Sequence, residues 1–366
     1  MAARSHTPSI AQAFERITID GLNLSAFDAY VRFYELDKKY IRHWSKELFS
    51  TLLQLSPRRR GLSAKTSGTT GPPKHIRISK RDLVMSARLT ADTFDLHQGD
   101  RVLHCLPCDF IAGKMMLVRA FVLGLDIHFI DPRGSILENL LIDDRFRFTA
   151  MVPLQLHRAI REDRARVERQ FDTILLGGGP VSDSLIKEIR DLDVQVFQGY
   201  GSTETVTHVA IRSLNGPSPE DHFTAIGDCS FGRDPRGCLV VYTPHLTVPQ
   251  HVTNDIVELM DDTRFRWLGR FDNVILSGGK KIFPEQLEAK TASAIPYAHY
   301  FTSTADDVLG QAVLLVLECT RPEHEVMAEV MPLLLSVLDP HEMPRRVRTV
   351  PGFKRTSGGK VIRQLT

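Results

Sequence analysis

The sequence predicts an α/β protein with a large N-terminal domain, built on mainly parallel sheets flanked by helices plus a β-rich section, and a small mobile C-terminal α+β domain. Three observations support this. Apolar runs alternate with helix-length segments up to about residue 200, closely spaced strands follow from about residue 223, and a short mixed pattern ends the chain. Its 366 residues, 42% hydrophobic and 25% charged, fit two globular domains of about 150 residues or more each.

Composition also limits the partners. The 46 basic and 44 acidic residues leave a net charge of +2, which argues against nucleic acid. The N-terminus has no apolar run typical of a signal peptide, and no stretch approaches the roughly 18 apolar residues that membrane insertion needs. The five cysteines are an odd, scattered set, so we expect a reduced cytoplasmic protein, either a monomer or a homodimer.

The N-terminal part predicts two helices. The first is amphipathic, because its apolar residues recur three, four or seven positions apart. A serine N-cap at Ser79, followed by Asp82, predicts a second helix that continues to about Phe94. The apolar stripe of the first helix consists of Phe27, Tyr30, Tyr34, Ile41, Trp44, Leu48 and Leu52.

The next hundred or so residues alternate between strands and helices, which indicates a parallel sheet with helices on both faces. Ligands of such sheets bind in the loops after the carboxyl ends of the strands. The predicted strands are Arg101 to Leu106, Asp126 to Ile130, Phe148 to Val152, Thr173 to Leu176 and Val194 to Phe197, with helices near 113–123, 135–143, 154–168 and 182–191.

The rest of the chain predicts shorter strands and a domain boundary. The polar link Gly269-Arg270-Phe271-Asp272 divides the chain into domains 1–270 and 271–366. Strands are predicted at Cys238 to Tyr242, Asp255 to Met260, Phe265 to Trp267, Ala298 to Thr302 and Ala312 to Leu317, and a helix is predicted around 323–338.

The segment Thr66-Ser67-Gly68-Thr69-Thr70-Gly71-Pro72-Pro73-Lys74 has the composition of a polyphosphate-binding loop. Glycines allow backbone N–H groups to point at an anion, hydroxyls add donors, and the lysine adds a positive charge. The pattern differs from a Walker A motif because no Ser or Thr follows Lys74. Considered alone, the segment could also be a polar surface loop.

Two more loops follow predicted strands. Gly177-Gly178-Gly179-Pro180 comes after Leu176, and three glycines there would let a flat ring lie against the backbone. Gln198-Gly199-Tyr200-Gly201-Ser202-Thr203-Glu204-Thr205 comes after Phe197. In that segment Glu204 offers an oxygen ligand for Mg²⁺, and Tyr200 offers a flat surface for stacking.

Five motifs, in this order, resemble the adenylate-forming superfamily of acyl- and aryl-CoA synthetases. This resemblance covers roughly residues 60 to 366. The motifs are the Thr66–Lys74 loop, Gly199 to Thr205, Thr253-Asn254-Asp255, Gly269 to Asn273, and Lys354-Arg355-Thr356-Ser357-Gly358-Gly359-Lys360.

The resemblance implies ATP, Mg²⁺ and CoA as cofactor and co-substrates, a small carboxylic acid as substrate, and the residue roles that go with them. Lys360, Thr203, Glu204 and Arg270 are the implied catalytic set, and Glu204 is also the metal ligand. ATP would be bound by Thr66, Ser67, Gly68, Thr69, Thr70, Gly71, Lys74, Gly178, Gly179, Pro180, Tyr200 and Asp255. Asp272 would be the hinge, and Gly279 would face the thiol channel.

Within the superfamily, the sequence resembles the o-succinylbenzoate–CoA ligase subgroup of menaquinone biosynthesis in the segments Ile111 to Met116, Thr253 to Glu258 and Trp267 to Arg270. The first loop begins as early as residue 66, which resembles the short forms of that subgroup. That acid keeps a second carboxylate after activation, so cations or hydroxyls should meet it. The candidates are Lys114, Arg119, Thr207 and His208, with Phe110 at the gating position.

Other functions stay open at this point. The chain could activate another aryl or acyl acid, load a carrier protein instead of CoA, or be a non-catalytic nucleotide-binding homologue. Asn254 stands where many members of the superfamily have Gly.

Overall fold

The computed structural model describes residues 9–10, 12–40, 43–65, 74–355 and 361–363. Within these ranges the chain forms a thirteen-stranded sheet, a five-stranded sheet, a two-stranded hairpin and eight α-helices. The predicted α/β fold class is confirmed. The helices are α1 (Ala26–Tyr40), α2 (Lys46–Leu55), α3 (Lys80–Phe94), α4 (Ile111–Leu123), α5 (Pro153–Gln170), α6 (Asp183–Ile189), α7 (Pro284–Thr291) and α8 (Glu323–Leu334).

The large sheet is parallel in one half and antiparallel in the other. Its order is β12-β13-β14-β15-β11-β10-β9-β8-β7-β5-β6-β1-β2, and the pairs from β9 through β8, β7, β5 and β6 to β1 are parallel. The strands are β1 (Arg16–Ile19), β2 (Leu22–Ser25), β5 (Arg101–His104), β6 (Asp126–Phe129), β7 (Phe146–Met151), β8 (Phe171–Leu176), β9 (Gln195–Gly201), β10 (His208–Ser213), β11 (Phe223–Ala225), β12 (Ser230–Arg233), β13 (Cys238–Tyr242), β14 (Gln250–Leu259) and β15 (Arg264–Arg270), and the separate hairpin pairs β3 (Gly61–Lys65) with β4 (His75–Ser79).

Helices cover both faces of the parallel half. Val102 and Leu175 belong to an apolar cluster that includes residues of α3 and α4. Their strand neighbours Leu103 and Ile174 belong to a second cluster, which includes residues of α5 and α6. Because successive strand residues point to opposite faces, consecutive buried apolar residues such as 174–176 are what a sheet covered on both sides requires.

The predicted start of α3 is confirmed. The Ser79 Oγ accepts a hydrogen bond from the Asp82 backbone N–H at 3.1 Å, which satisfies one of the free donors of the first helical turn.

The helix predicted near 135–143 is wrong. Only a 3₁₀ turn forms there, at Leu137–Asn139. The Asn139 side chain donates to the Ser135 carbonyl, and the Asp144 carboxylate accepts from the Leu141 N–H. These side-chain bonds satisfy backbone groups that a helix would have paired internally, so the segment stays irregular.

The single apolar stripe predicted between Phe27 and Leu52 is also wrong in part. Two helices cover it, α1 and α2, with a 3₁₀ turn at His43–Ser45 before α2. Leu48 and Leu52 are 1% exposed, whereas Phe27 is 70% exposed, so only the second helix buries its apolar face fully.

A smaller module follows the large sheet and will be called the C-terminal module. It contains α7, α8 and a sheet of order β17-β16-β19-β18, with β20 parallel to β19. The sheets change between Arg270 and Ile275; the division at 270/271 and the hinge at Asp272 stay predictions. The strands of the C-terminal module are β16 (Ile275–Ser277), β17 (Lys280–Ile282), β18 (His299–Asp306), β19 (Gly310–Glu318) and β20 (Arg346–Val350).

None of the helices in the described ranges combines the length and the apolar character that crossing a bilayer would require.

Candidate active site

The β9–β10 connection is a tight loop fixed by its own hydrogen bonds. The Ser202 N–H donates to the Thr205 Oγ1 at 2.8 Å, and that hydroxyl donates to the Thr207 carbonyl at 2.9 Å. A Cβ at Gly201 would lie 2.2 Å from the Thr207 carbonyl oxygen, so only glycine fits there. Strand β9 itself continues to Gly201, beyond the predicted end at Phe197.

Within this loop, the two candidate catalytic residues differ in exposure. Thr203 is buried at 9% exposure, while Glu204 is exposed. An exposed carboxylate on a rigid loop can accept a hard cation without losing a protein partner. Val206 has φ +67°, a left-handed conformation that a β-branched residue rarely adopts, and no sequence signal points to it.

Tyr200, Asp255 and Arg270 form one network at the end of the sheet. The Tyr200 Oη donates to Asp255 Oδ2 at 2.6 Å, and Arg270 Nη1 donates to Asp255 Oδ1 at 3.3 Å. Asp255 and Arg270 are cross-strand partners on β14 and β15. Burial, together with the neighbouring Asp255 carboxylate, raises the pKa of Tyr200 well above its ordinary value, so its hydroxyl remains a proton donor.

The same arginine reaches the predicted hinge. Arg270 Nη2 donates to Asp272 Oδ2 at 3.1 Å, and Asn254 Nδ2 lies 3.3 and 3.4 Å from the two Asp272 oxygens. Asp255, a predicted ATP-binding residue, and Asp272, the predicted hinge, therefore share the Arg270 guanidinium.

The glycine turn after β8 leaves open space. Gly178 has φ +80°, and a Cβ added at Gly177 or Gly179 would meet nothing within 4 Å. The Gln198 side chain lies 3.5 Å from the Gly179 carbonyl, and Pro180 ends the turn. A flat ring could approach this backbone without a steric clash, and the binding of ATP at this turn stays a prediction.

Arg119, Thr207 and His208 form a buried polar cluster under the β9–β10 loop. Arg119 is 2% exposed; its Nη2 donates to Thr207 Oγ1 at 2.9 Å and its Nε donates to Thr90 Oγ1 at 3.2 Å. The Thr207 hydroxyl also lies 3.1 Å from His208 Nδ1, while His208 Nε2 is buried with no hydrogen-bond partner in the described residues.

This cluster has an unbalanced positive charge. Burial lowers the pKa of Arg119 to about 10, and burial together with that guanidinium lowers the pKa of His208 well below its ordinary value. Among the described residues, no carboxylate makes a salt bridge with Arg119. A buried cation without an anion is costly unless a ligand supplies the negative charge.

The other two acid-pocket candidates lie elsewhere. Phe110 precedes α4 and is partly buried, and Lys114 donates from Nζ to the Ser63 carbonyl of β3 at 3.0 Å. Lys114 and Arg119 are five residues apart on α4, which on a helix places them on different sides. The structure does not bring Lys114 to the Arg119 cluster.

The triphosphate loop lies largely outside the described residues. Thr66, Ser67, Gly68, Thr69, Thr70 and Gly71 are not described, and neither is Lys360. Lys65 and His75 are register partners in the β3–β4 hairpin, so the two ends of this loop are held together next to the exposed Lys74.

Gly279, predicted to face the thiol channel, lies in the hairpin between β16 and β17. It has φ +79° and open space around the position of a Cβ.

A groove of about 600 Å³ lies between α3 and strands β9 to β11. It is lined by Leu89, Asp92, Thr93, Phe197, Ile211, Ser213, Ser218, Glu220, Thr224, Ala225, Ile226 and Gly227, none of which was a predicted site residue.

Comparison with known proteins finds a matching family model and similar solved structures. The family model described as AMP-binding enzyme matches residues 66–233. A solved acyl-CoA synthetase (AMP-forming)/AMP-acid ligase II-like protein from Dyadobacter fermentans is 34% identical, with 88% of this chain and 93% of that chain covered and a TM-score of 0.58.

Two further relatives are more distant. The 2-succinylbenzoate–CoA ligase of Oceanobacillus iheyensis is 24% identical over 81% of this chain and 67% of its own length, so this chain spans about two thirds of that protein. The O-succinylbenzoate Coenzyme A synthetase of Bacillus subtilis, solved with ATP and magnesium ion, is 21% identical, covers 82% and 68% of the two chains, and shares the fold with a TM-score of 0.69.

The fold and the order of the motifs define an enzyme of the AMP-forming acid–thiol ligase class. The chain belongs to the AMP-binding enzyme family, and the resemblance seen in the sequence is confirmed.

Proposed function

We propose that this enzyme is an o-succinylbenzoate–CoA ligase of menaquinone biosynthesis, which uses ATP and CoA and releases AMP and pyrophosphate. The observation that carries this substrate assignment is the buried Arg119 guanidinium, hydrogen-bonded to Thr90 and Thr207 and without a carboxylate partner among the described residues. The names of the curated relatives support the same acid.

The charge of Arg119 favours an acid with two carboxylates. One carboxylate is consumed in forming the acyl-adenylate, so only a diacid keeps a negative charge for the cluster afterwards. A planar guanidinium binds a carboxylate through two parallel hydrogen bonds, and the Thr207 hydroxyl can add a third donor. A monocarboxylic acid would leave the guanidinium buried without an anion.

In the first half-reaction, an oxygen of the acid carboxylate attacks the α-phosphorus of ATP, and the bond to pyrophosphate breaks. The residues of 66–74 would hold the β- and γ-phosphates, while Gly178–Pro180 and Tyr200 would hold the adenine. Asp255 would accept hydrogen bonds from the ribose hydroxyls, since an ionised carboxylate has acceptor positions beyond the two that Tyr200 and Arg270 use.

The charges that meet in this step require neutralisation, because an anion approaches a polyanion. Glu204 would hold Mg²⁺, which supplies positive charge to the phosphates, and Thr203 would contact the α-phosphate. Lys360 would bridge the attacking carboxylate and the α-phosphate.

In the second half-reaction the CoA thiol gives up its proton to solvent and its sulfur attacks the acyl carbon, and AMP leaves with the electrons of the acyl–oxygen bond. We propose that the C-terminal module turns about Asp272 between the two steps. Gly279 would then line the route of the thiol, where the absence of a side chain leaves room.

A panel of acids tests the proposal directly. Purified protein with ATP, Mg²⁺ and CoA should release pyrophosphate with o-succinylbenzoate at a rate at least tenfold above that with benzoate or a fatty acid. Turnover with monocarboxylic acids and none with o-succinylbenzoate would refute the substrate assignment. Pyrophosphate release with none of the acids would refute catalysis itself.

A further inference from the structure

The C-terminal tail is paired with itself on both sides of residues 356–360. The Ile362 N–H donates to the Lys354 carbonyl at 2.8 Å, and Arg355 and Val361 form an antiparallel bridge. Val361 also packs against a small apolar cluster of β18 and β19 that includes Tyr300. The chain on both sides of 356–360 is therefore attached to the C-terminal module.

Arg363, the third residue after Lys360, binds a glutamate of α7 through both of its terminal nitrogens. Nη1 donates to Glu288 Oε1 at 2.5 Å and Nη2 to Glu288 Oε2 at 2.7 Å, and Nη1 also reaches the Phe301 carbonyl at 3.0 Å. The two side chains are only 20% and 24% exposed. A bidentate arginine–carboxylate pair that is shielded from water fixes the relative orientation of the two side chains as well as their distance.

A second glutamate of α7 links this pair to the junction with the large sheet. Glu285 Oε1 lies 3.7 Å from Arg363 Nη2 and accepts a hydrogen bond from Asn273 Nδ2 at 2.5 Å, next to the predicted hinge. The other oxygen, Oε2, is buried without a partner in the described residues, and it would lie 2.7 Å from a Cβ at Gly269 of β15. The tail, α7 and the junction are thus connected by a continuous set of polar contacts.

We propose that Arg363 is a positioning residue for acid activation. Its side chain fixes the tail to α7, so Lys360 would move together with the C-terminal module when it approaches the nucleotide. The proposal rests on the role of Lys360 given above. It adds that the anchor lies in the Arg363–Glu288 pair, and that Glu285 connects this anchor to the junction.

The test compares two half-reactions in the full-length protein. Arg363→Met should lower acid-dependent pyrophosphate release about 100-fold, because a displacement of about 1 Å costs that much in a positioned reaction. It should lower kcat much more than it raises KM for ATP, and thioester formation from supplied acyl-adenylate and CoA should change less than threefold. Arg363→Lys keeps the charge but not the paired geometry, so its rate of pyrophosphate release should be about tenfold higher than that of Arg363→Met.

Arg321→Met is the matched control. Arg321 is also paired with glutamates of a module helix, at 2.5 Å from Glu329 and 3.6 Å from Glu325 on α8. That variant should leave both half-reactions within twofold. Hydrogen exchange gives a readout independent of activity: amides of 361–363 should exchange at least tenfold faster in Arg363→Met and unchanged in Arg321→Met.

Each outcome decides the proposal. Equal losses in both half-reactions would overturn the proposal, because they would show that Arg363 has a merely structural role. An unchanged rate of pyrophosphate release would overturn it as well. Faster exchange with normal activation would show an anchor that does not position Lys360, which also overturns it. Measuring Lys360→Ala in the same assays separates this proposal from the proposed function. If that variant still activates the acid, the role of Lys360 is refuted; if the unaltered protein activates no acid, the proposed function is refuted. In either case, hydrogen exchange still shows whether Arg363 holds the tail.

Discussion

The large sheet and the junction with the C-terminal module are held together by different forces. Apolar side chains close both faces of the parallel sheet, and the β9–β10 loop above it is fixed by partly buried hydrogen bonds within the loop. At the junction, by contrast, the contacts around Asp272 are ionic or polar and partly exposed, from Arg270 and Asn254. Apolar packing resists rearrangement, whereas exposed polar contacts can be exchanged for water at little cost in free energy.

The contacts of Arg236 next to the junction are also polar or ionic in character. Arg236 donates to the Asn254 side chain at 3.0 Å and to the Thr253 carbonyl at 3.1 Å, and its guanidinium lies 5.2 Å from the centre of the Phe271 ring. From this difference we infer two roles: the large sheet would hold the substrates in fixed positions, and the junction would allow the C-terminal module to change orientation.

Among the variants that compare these two regions, the largest effect is expected inside the fixed region, at Arg119. Arg119→Met should lower kcat/KM for o-succinylbenzoate by about 10²–10³-fold, because the second carboxylate would lose a buried ionic partner worth about 3–5 kcal/mol. KM for ATP should change little. Steady-state pyrophosphate release at varied acid concentrations measures both quantities.

The control for that variant is Arg169→Met, which removes an exposed arginine at the end of α5. Its kinetic constants should match those of the unaltered enzyme. If Arg119→Met kept the full preference for o-succinylbenzoate over benzoate, the second carboxylate would have to bind elsewhere.

An intermediate effect is expected at Tyr200, where the sheet meets the junction network. Tyr200→Phe removes the 2.6 Å hydrogen bond to Asp255 and should raise KM for ATP about tenfold, since a hydrogen bond to a charged group contributes about 1.5–3 kcal/mol. Selectivity among acids should stay the same, as measured with the same acid panel.

Tyr242→Phe serves as the comparison, because Tyr242 is 39% exposed at the end of β13. A changed acid preference in Tyr200→Phe would place this side chain in the acid pocket, contrary to the assignment to nucleotide.

The smallest effect is expected at the junction itself. Asn254→Gly removes the donor that lies 3.3 and 3.4 Å from the Asp272 oxygens and should speed hydrogen exchange of residues 271–273 by about threefold, since exposed pairs contribute about 0.2–1 kcal/mol. Both half-reactions should stay within threefold. Asn139→Gly, in a loop of the large region, should leave exchange at 271–273 unchanged; a tenfold change from Asn254→Gly would mean that the junction is held far more firmly than its contacts indicate.

The fold could be predicted from the sequence where local patterns and tertiary demands agree. Runs such as 174–176 are apolar because both faces of the sheet are covered, and Ser79 caps α3 through contacts within one turn. The predicted helix at 135–143 failed because polar side chains, including Asn139 and Asp144, bind nearby backbone groups.

The site could be predicted only in part, for a physical reason. The glycine turn and the β9–β10 loop are contiguous motifs, whereas the acid cluster joins Arg119 of α4, Thr90 of α3 and Thr207 from far along the chain. Four candidates were equally plausible by residue type, and only the packing of α4 separates Arg119 from Lys114. The Arg363–Glu288 pair joins residues 75 positions apart and has no local pattern.

The most direct test of the whole account measures the two half-reactions of Lys360→Ala with o-succinylbenzoate. The tail lysine should be needed for acid activation alone, so pyrophosphate release should fall at least 1,000-fold, about 4 kcal/mol in the activation barrier, while supplied acyl-adenylate is converted to the CoA thioester at nearly the normal rate. Normal pyrophosphate release by this variant would contradict the account, because the sheet would then activate the acid without the tail.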